Sequence, residues 1–363
     1  MWQRRAFLKA AGAGFLASLT PRGAEALERS ELVFASSIQR QAGGYAAALV
    51  TEAGRLITSV DLPERGHDIT YSPVTGEAVV FARQPGTFAV VFDPVGRTPP
   101  QTITSSEGRH FFGHGAFSPD GKLLYATEND FDKARGVIGL FDVGDSYRRI
   151  GEFDTFGTGP HELLLTPDGS TLVVANGGIE THPDYGRAEL NLDTMDPSVS
   201  FIDAATGALI GQLRLSSDLH QLSIRHMAFD AQGRAWFGCQ FRGPEKDRPQ
   251  LVGYATREGD IRLIELPEGT LGTLRNYVGS LAASGDGSLI AVSSPEGSTI
   301  LAIDAATSKL VAATTLDSGC GIAPDGAGFL ASSGQGEIVG VAGSTVPRQS
   351  LGFGFDNHLR RLS

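Results

Sequence analysis

The sequence predicts an all-β protein, a seven-bladed β-propeller in which the C-terminal strand completes blade one. Three observations predict it. Glycine supplies 47 and proline 18 of the 363 residues, more turn formers than a helical bundle of this size tolerates. A proline-aspartate-glycine turn recurs with a period of about 45 residues. Each copy of the turn lies between short apolar runs rich in β-formers. The balance of 30 Lys plus Arg against 41 Asp plus Glu, a net charge of -11, excludes a duplex-binding surface built on phosphate neutralisation. Two cysteines, Cys239 and Cys320, cannot supply a disulfide framework, so stability rests on packing.

Taken in order, residues 1–26 resemble a twin-arginine export signal. Arg4-Arg5 precede the apolar stretch 10–19, then comes the breaker Pro21, and Ala24-Glu25-Ala26 offers a small-x-small cleavage site. The apolar stretch is half the roughly 20 residues that span a bilayer, so the mature protein, residues 27–363, is expected to be periplasmic with no transmembrane segment. Cleavage removes Arg4, Arg5, Lys9, Arg22 and Glu25 from a chain of net charge -11 and leaves a mature charge of -14.

The repeated turn reads Phe117-Ser-Pro-Asp-Gly121, Leu165-Thr-Pro-Asp-Gly169, Phe229-Asp-Ala-Gln-Gly233, Ala283-Ser-Gly-Asp-Gly287 and Ile322-Ala-Pro-Asp-Gly326, with Tyr71-Ser-Pro-Val-Thr-Gly76 one residue longer. A third run often ends in aspartate, at Asp142, Asp203 and Asp304. Four strands per repeat match a propeller blade. Three strands are predicted across 31–61 and complete blades at 67–105, 113–154, 161–215, 225–266, 278–316 and 319–355. Residues 356–363 are left to serve as the missing inner strand of the first blade, which closes the ring without an open edge.

Histidines fall at one place in this pattern. His114 and His226 lie four residues before Ser118 and Asp230; His67, His161 and His358 lie five before Ser72, Thr166 and Ser363. Five blades thus start their inner strand with a histidine where the blades converge on the central channel. His110, His182 and His220 fall in loops of the same face, called the top. Imidazoles brought together from separate strands form a rigid nitrogen site, so the sequence predicts a metal centre at the top mouth of the channel. Its candidate ligands are His67, His114, His161, His226, His358 and the carboxylate Glu162. His110, His182, His220, Arg225, Asn176 and Glu128 are further top-face candidates. The ion expected is a transition metal, iron or copper ahead of zinc. Because neutral imidazole is the ligand form, affinity is expected to weaken as pH falls through about 6.5.

Two other readings of the histidines stand beside this one. WD-repeat propellers carry a structural Gly-His pair in each blade, and Gly66-His67 and Gly113-His114 look similar, although the spacing here is shorter and Trp-Asp is absent. An organic ligand is the other. Arg65, Arg109, Arg225 and Arg275 lie beside the same face, and guanidinium groups suit a carboxylate or phosphate, so the centre could take a metal together with an anion. Cys-x-x-Cys-His, Gly-x-Ser-x-Gly and Gly-x-x-x-x-Gly-Lys are all missing, which removes support from covalent haem, serine-hydrolase and P-loop chemistry.

Gly108-Arg-His-Phe-Phe-Gly-His-Gly115, Tyr125-Ala-Thr-Glu-Asn-Asp130, Gly159-Pro-His-Glu-Leu163 and Ala175-Asn-Gly-Gly-Ile-Glu-Thr-His-Pro-Asp184 resemble the bacterial family called domain of unknown function 1513. Ser223-Ile-Arg-His226, Gly238-Cys-Gln240 and Tyr277-Val-Gly-Ser280 extend the likeness over essentially the whole mature chain. The resemblance implies an exported propeller and, through neighbouring imelysin-type iron-uptake proteins as partners, a role in iron acquisition or iron redox handling. It brings no catalytic residue set. The first function expected is therefore a periplasmic metal-binding protein. The alternatives are a metal-dependent lactonase-like hydrolase, in which a hub metal polarises a carbonyl, and an interaction scaffold without a small-molecule site.

Overall fold

A computed structural model describes Phe15 and residues 17–362. The chain folds as seven antiparallel sheets in a ring, six of four consecutive strands and one built from both chain ends. The innermost strands are Gly66–Tyr71, Arg109–Phe117, Pro160–Leu165, Leu222–Phe229, Ser280–Ala283 and Gly319–Asp325. In blade one, Val33–Arg40, Tyr45–Thr51 and Leu56–Leu62 form the outer three strands. The C-terminus supplies the fourth as two short pieces, Phe353–Phe355 and Arg360–Arg361, both antiparallel to Val33–Arg40. The closing strand thus begins at Phe353 rather than at Asp356, and it is broken around His358.

The repeated turn has a local physical cause. In Ser118-Pro-Asp-Gly121 the Ser118 hydroxyl donates to Asp120 and accepts from the Leu123 amide, while Asp120 also accepts from the Lys122 amide. Gly121 takes the left-handed conformation at φ 70°, which a residue with a Cβ adopts only at a cost. Thr166 with Asp168 and Ser284 with Asp286 repeat the arrangement. The aspartates that end third strands accept amide hydrogens of the next turn, as Asp203 does from Ala205 and Thr206.

Between blades, apolar rows from facing sheets interdigitate. The largest row packs Val173, Phe201, Trp236, Phe237, Leu274, Val292 and Leu301 across blades four, five and six. Each fully buried large side chain contributes about 1.5–3 kcal/mol, so the ring is held by side-chain packing and needs no covalent link. Cys239 and Cys320 are both free and buried, as the absence of a disulfide framework requires.

Arg4-Arg5 and most of the predicted export segment lie outside the described residues. The helix Pro21–Arg29 leads into blade one, capped by the Thr20 side chain on the Gly23 amide and burying Ala26 and Leu27. These side chains pack with Phe15 and Ile57 against blade one, and the predicted cleavage motif at residues 24–26 falls inside this helix. No helix among the described residues is long and apolar enough to cross a membrane.

Candidate metal centre

Five innermost strands carry a β-bulge at the channel. The register shifts between Gly66 and Ile69, Phe111 and Gly115, Pro160 and Glu162, Ile224 and His226, and Gly319 and Ile322. A bulge inserts one or more unpaired residues and re-aims the side chain there. Four of these bulges carry or adjoin a histidine: His67, His114, His161 and His226. The strand break of blade one carries the fifth, His358. The inner strand of blade six has neither bulge nor histidine.

All five imidazoles meet in the channel. Ring centroids lie 4.6 Å apart for His67–His358 and His161–His226, and 4.8 to 5.0 Å apart for His114 with His358, His67 and His161. Ligand atoms of His67, His114 and His161, and those of His114, His226 and His358, lie within 4.8 Å of one another, so these groups could hold a metal ion. The cage is deeper than a channel mouth. Every ring is buried, and His161 alone lines the cavity that opens above it. Gly113 shows how close the approach is: a Cβ there would come within 2.5 Å of the His67 ring, and its φ is 101°.

The carboxylates stand behind the rings. Asp356 receives the His67 Nδ1 hydrogen at 3.2 Å, Asp68 that of His114 at 3.0 Å, and Glu162 that of His226 at 3.3 Å. Each of these rings therefore turns its Nε2 lone pair away from the carboxylate. That is the tautomer a metal needs, and such partners also raise ligand basicity. The Nε2 atoms of His114 and His358 are buried with no hydrogen-bond partner, an arrangement that protein interiors avoid unless something else satisfies the atom. Glu162, expected as a ligand, has both oxygens engaged, by Arg360 at 3.0 Å, the Met227 amide at 3.0 Å and His226. Asp68, His114 and Glu162 also lie close enough to share an ion, with Arg360 already bridging the two carboxylates.

His161 differs from the rest. An arginine can only donate, so the Arg225 contact at 3.3 Å makes His161 Nδ1 an acceptor and places its proton on Nε2, which faces His226 Nε2 at 3.3 Å. Ligation through His161 would release that proton.

Electrostatics keep four of the rings neutral. Burial, followed by the charges of neighbouring groups, holds His67 and His161 well below the usual imidazole range; burial holds His358 there against the Asp68 carboxylate and moves His226 down to about 4. For Asp68 burial works upward, but the Arg360 guanidinium and hydrogen bonds outweigh it and the carboxyl stays well below its ordinary range. Glu162 is likewise held at about 2, against burial, by His114, His226 and Arg360. Neutral imidazoles backed by ionised carboxylates are the state in which a cation binds.

The remaining sequence candidates lie elsewhere. His110 stacks on Phe131 and is held by the Phe111 carbonyl and the Asn129 amide. His182 caps a turn through the Asp184 amide, and half-buried His220 touches the Ser217 carbonyl. The Asn176 amide nitrogen donates to the Thr155 carbonyl and the Ser200 hydroxyl, while its Oδ1 is buried without a hydrogen-bond partner, and Glu128 is taken by Arg149. Arg109 pairs with Asp130 and Glu152, and Arg275 lines a depression that adjoins the cavity above the cage. Burial pushes the Cys320 thiol up to about 12, and its sulfur donates to the Asp356 carbonyl, so it is no thiolate ligand at neutral pH. Asp356 and Arg360 were not among the candidates. No regular alternation could mark them, because the closing strand is broken between Phe355 and Arg360.

The family described as "Protein of unknown function (DUF1513)" matches residues 60–362, which includes every ring of the cage. The chain belongs to the DUF1513 family. Among solved structures, this DUF1513 chain is similar to Kuenenia stuttgartiensis hydrazine synthase, with a TM-score of 0.61, 16% identity, and 83% of this chain and 90% of that chain covered. It is also similar to a chain of a nidogen/laminin complex, with a TM-score of 0.52, 13% identity, and 78% and 93% covered. At these identities the likeness is one of fold. No curated protein matches this DUF1513 sequence.

Proposed function

We propose that this DUF1513 protein binds a transition metal ion in its imidazole cage and serves periplasmic iron acquisition or iron redox handling. The observation that carries this reading is the set of buried rings, three of them anchored by carboxylates at Nδ1, converging on one volume of the channel. An all-nitrogen donor set suits iron, copper and zinc, and five imidazoles exceed the four ligands that structural zinc takes, which favours iron or copper. The partners that fit are periplasmic iron-uptake proteins of the imelysin type.

Elemental analysis of protein made in a metal-replete host tests it. About one equivalent of iron or copper is expected in the parent, and less than about a tenth of that in the double variant His114→Ala plus His226→Ala, since losing orienting and ligating groups together costs well over 100-fold in affinity. A parent free of stoichiometric transition metal overturns the reading. Export has its own test. Arg4→Lys plus Arg5→Lys is expected to retain the protein in the cytoplasm as the full chain, whereas the parent accumulates in the periplasm with Leu27 as its first residue; equal periplasmic yield from both would exclude the twin-arginine route.

The cavity that reaches His161 from solvent favours a second reading, a lactonase-like hydrolase in which substrate enters from above. Metal-dependent hydrolysis across a lactone and phosphoester panel is its readout.

A further inference from the structure

Above the cage lies a cavity of about 330 Å³, open to the top face and floored by His161. Connections between second and third strands bring Arg83 and Arg187 to its wall, and the inner strand of blade five brings Arg225. Arg225 is the decisive group. Its guanidinium meets only neutral acceptors, Gln240 Oε1 at 3.0 Å and His161 Nδ1 at 3.3 Å, and its Nε is buried without a partner. No carboxylate among the described residues pairs with it. A half-buried cation without a counter-charge, its Nε donor unsatisfied, is unfavourable. Arg83 is only partly compensated: it reaches Asp356 at 3.4 Å, but that carboxylate already receives Arg65 at 2.5 Å and His67, and the Arg83 Nε is also buried and unpartnered. Arg187 makes no ion pair among the described residues. Of the two acids on the wall, Glu189 is taken by Arg242 at 2.6 Å, which leaves Glu296 against three arginines.

We propose that this cavity is a binding site for a small molecule bearing an oxyanion, a carboxylate or phosphate, gripped by the Arg225 and Arg83 guanidinium groups directly above the imidazole cage. The planar fork of arginine matches both groups, and the volume is at the lower end of small-ligand sites, too large for one inorganic phosphate alone. The proposal goes beyond metal binding and does not require it, because the uncompensated charge is present in the chain itself.

Calorimetric titration of the metal-free mature protein, freed of chelator by dialysis, tests it with oxalate, citrate and inorganic phosphate as probes and neutral oxamide as control. Saturable binding of at least one anion at one per chain is expected, with none of oxamide. Oxalate or citrate alone would identify the carboxylate source, and phosphate alone the phosphate source. Arg225→Gln is expected to weaken binding at least tenfold and Arg83→Gln severalfold, with Arg275→Gln, outside the cavity, unchanged. Thermal melts of each variant verify folding, and Arg83→Gln carries the test should Arg225→Gln fail to fold. No saturable binding of any anion below about 10 mM, or equal affinity in parent and Arg83→Gln, overturns the proposal. Because the titration uses metal-free protein, its failure leaves the elemental analysis intact, and a metal-free parent leaves the anion site intact.

Discussion

Arg360→Met is expected to lower the unfolding free energy by about 3 kcal/mol at pH 7, the low end of the cost of breaking a buried ion pair from one side. Arg360 touches Asp68 through Nε and a terminal nitrogen, at 2.8 and 2.5 Å, and Glu162 at 3.0 Å. Both carboxylates are about 3% exposed, whereas a third of the arginine side chain remains in contact with solvent, which is why the low end applies. Removing the guanidinium leaves two buried negative charges facing each other with only imidazole and amide hydrogens for support. The variant should also change the pH profile. Arg360 holds both carboxyls below their unfolded values, so it adds stability above about pH 4 that disappears as they protonate. The gap between parent and variant is therefore expected to close only toward about pH 2, where Glu162 takes its proton, and to hold at every pH above about 4 at which the protein stays folded. Urea denaturation at several pH values measures both effects; a loss under about 1 kcal/mol at pH 7 would mean that solvent already screens the trio.

Much of this centre was legible because a turn fixes a register. Once the Ser-Pro-Asp-Gly turn is placed, a residue four or five positions earlier must lie on the inner strand, as His67, His114, His161 and His226 do, His114 and His226 in mid-strand; His358, with no such turn after it, sits at the break of the closing strand. Blade closure was legible from the missing strand of blade one. The bulges were not, since no residue type or spacing in Phe111-Phe-Gly-His-Gly115 distinguishes a regular strand from one that slips between Phe111 and Gly115. They decide direction: His110, on the same strand as His114, ends among Phe112, Phe131 and Asn129 instead of at the hub. Asp356 and Arg360 escape a reading of the closing strand as one regular piece, and Arg83 escapes because its loop gives no periodic signal. Glu162 shows the limit of residue type alone. A carboxylate beside a histidine suits a ligand and an orienting partner equally, and only the hydrogen bonds to Arg360, Met227 and His226 tell which arrangement the fold adopts.

Those same burial effects make acid the strongest lever on the metal-free protein. In the unfolded chain each histidine titrates near 6.5. In the folded chain burial holds His67, His161 and His358 far lower and His226 at about 4. Between these values the unfolded state binds protons that the folded state refuses, so stability falls as pH falls, by about 1.4 kcal/mol per pH unit for each such ring once below 6.5. Four rings together remove about 7 kcal/mol between pH 7 and pH 5, comparable with the whole stability of an ordinary domain. Asp68 and Glu162, whose folded values are depressed, add a further loss below about 4 in the same direction. Metal-free protein is thus expected to unfold cooperatively between about pH 6 and 4, reported by the fluorescence of Trp236, which is fully buried. Bound metal stabilises only the folded state and should move the midpoint to lower pH. The depressed imidazoles also shift the window for metal release: affinity of the folded cage should persist below 6.5 and fail nearer 4, where His226 takes its proton. Metal-free protein that stays folded at pH 4 with unchanged urea midpoint would show that water reaches the rings and that the cage is not the dry site its geometry describes.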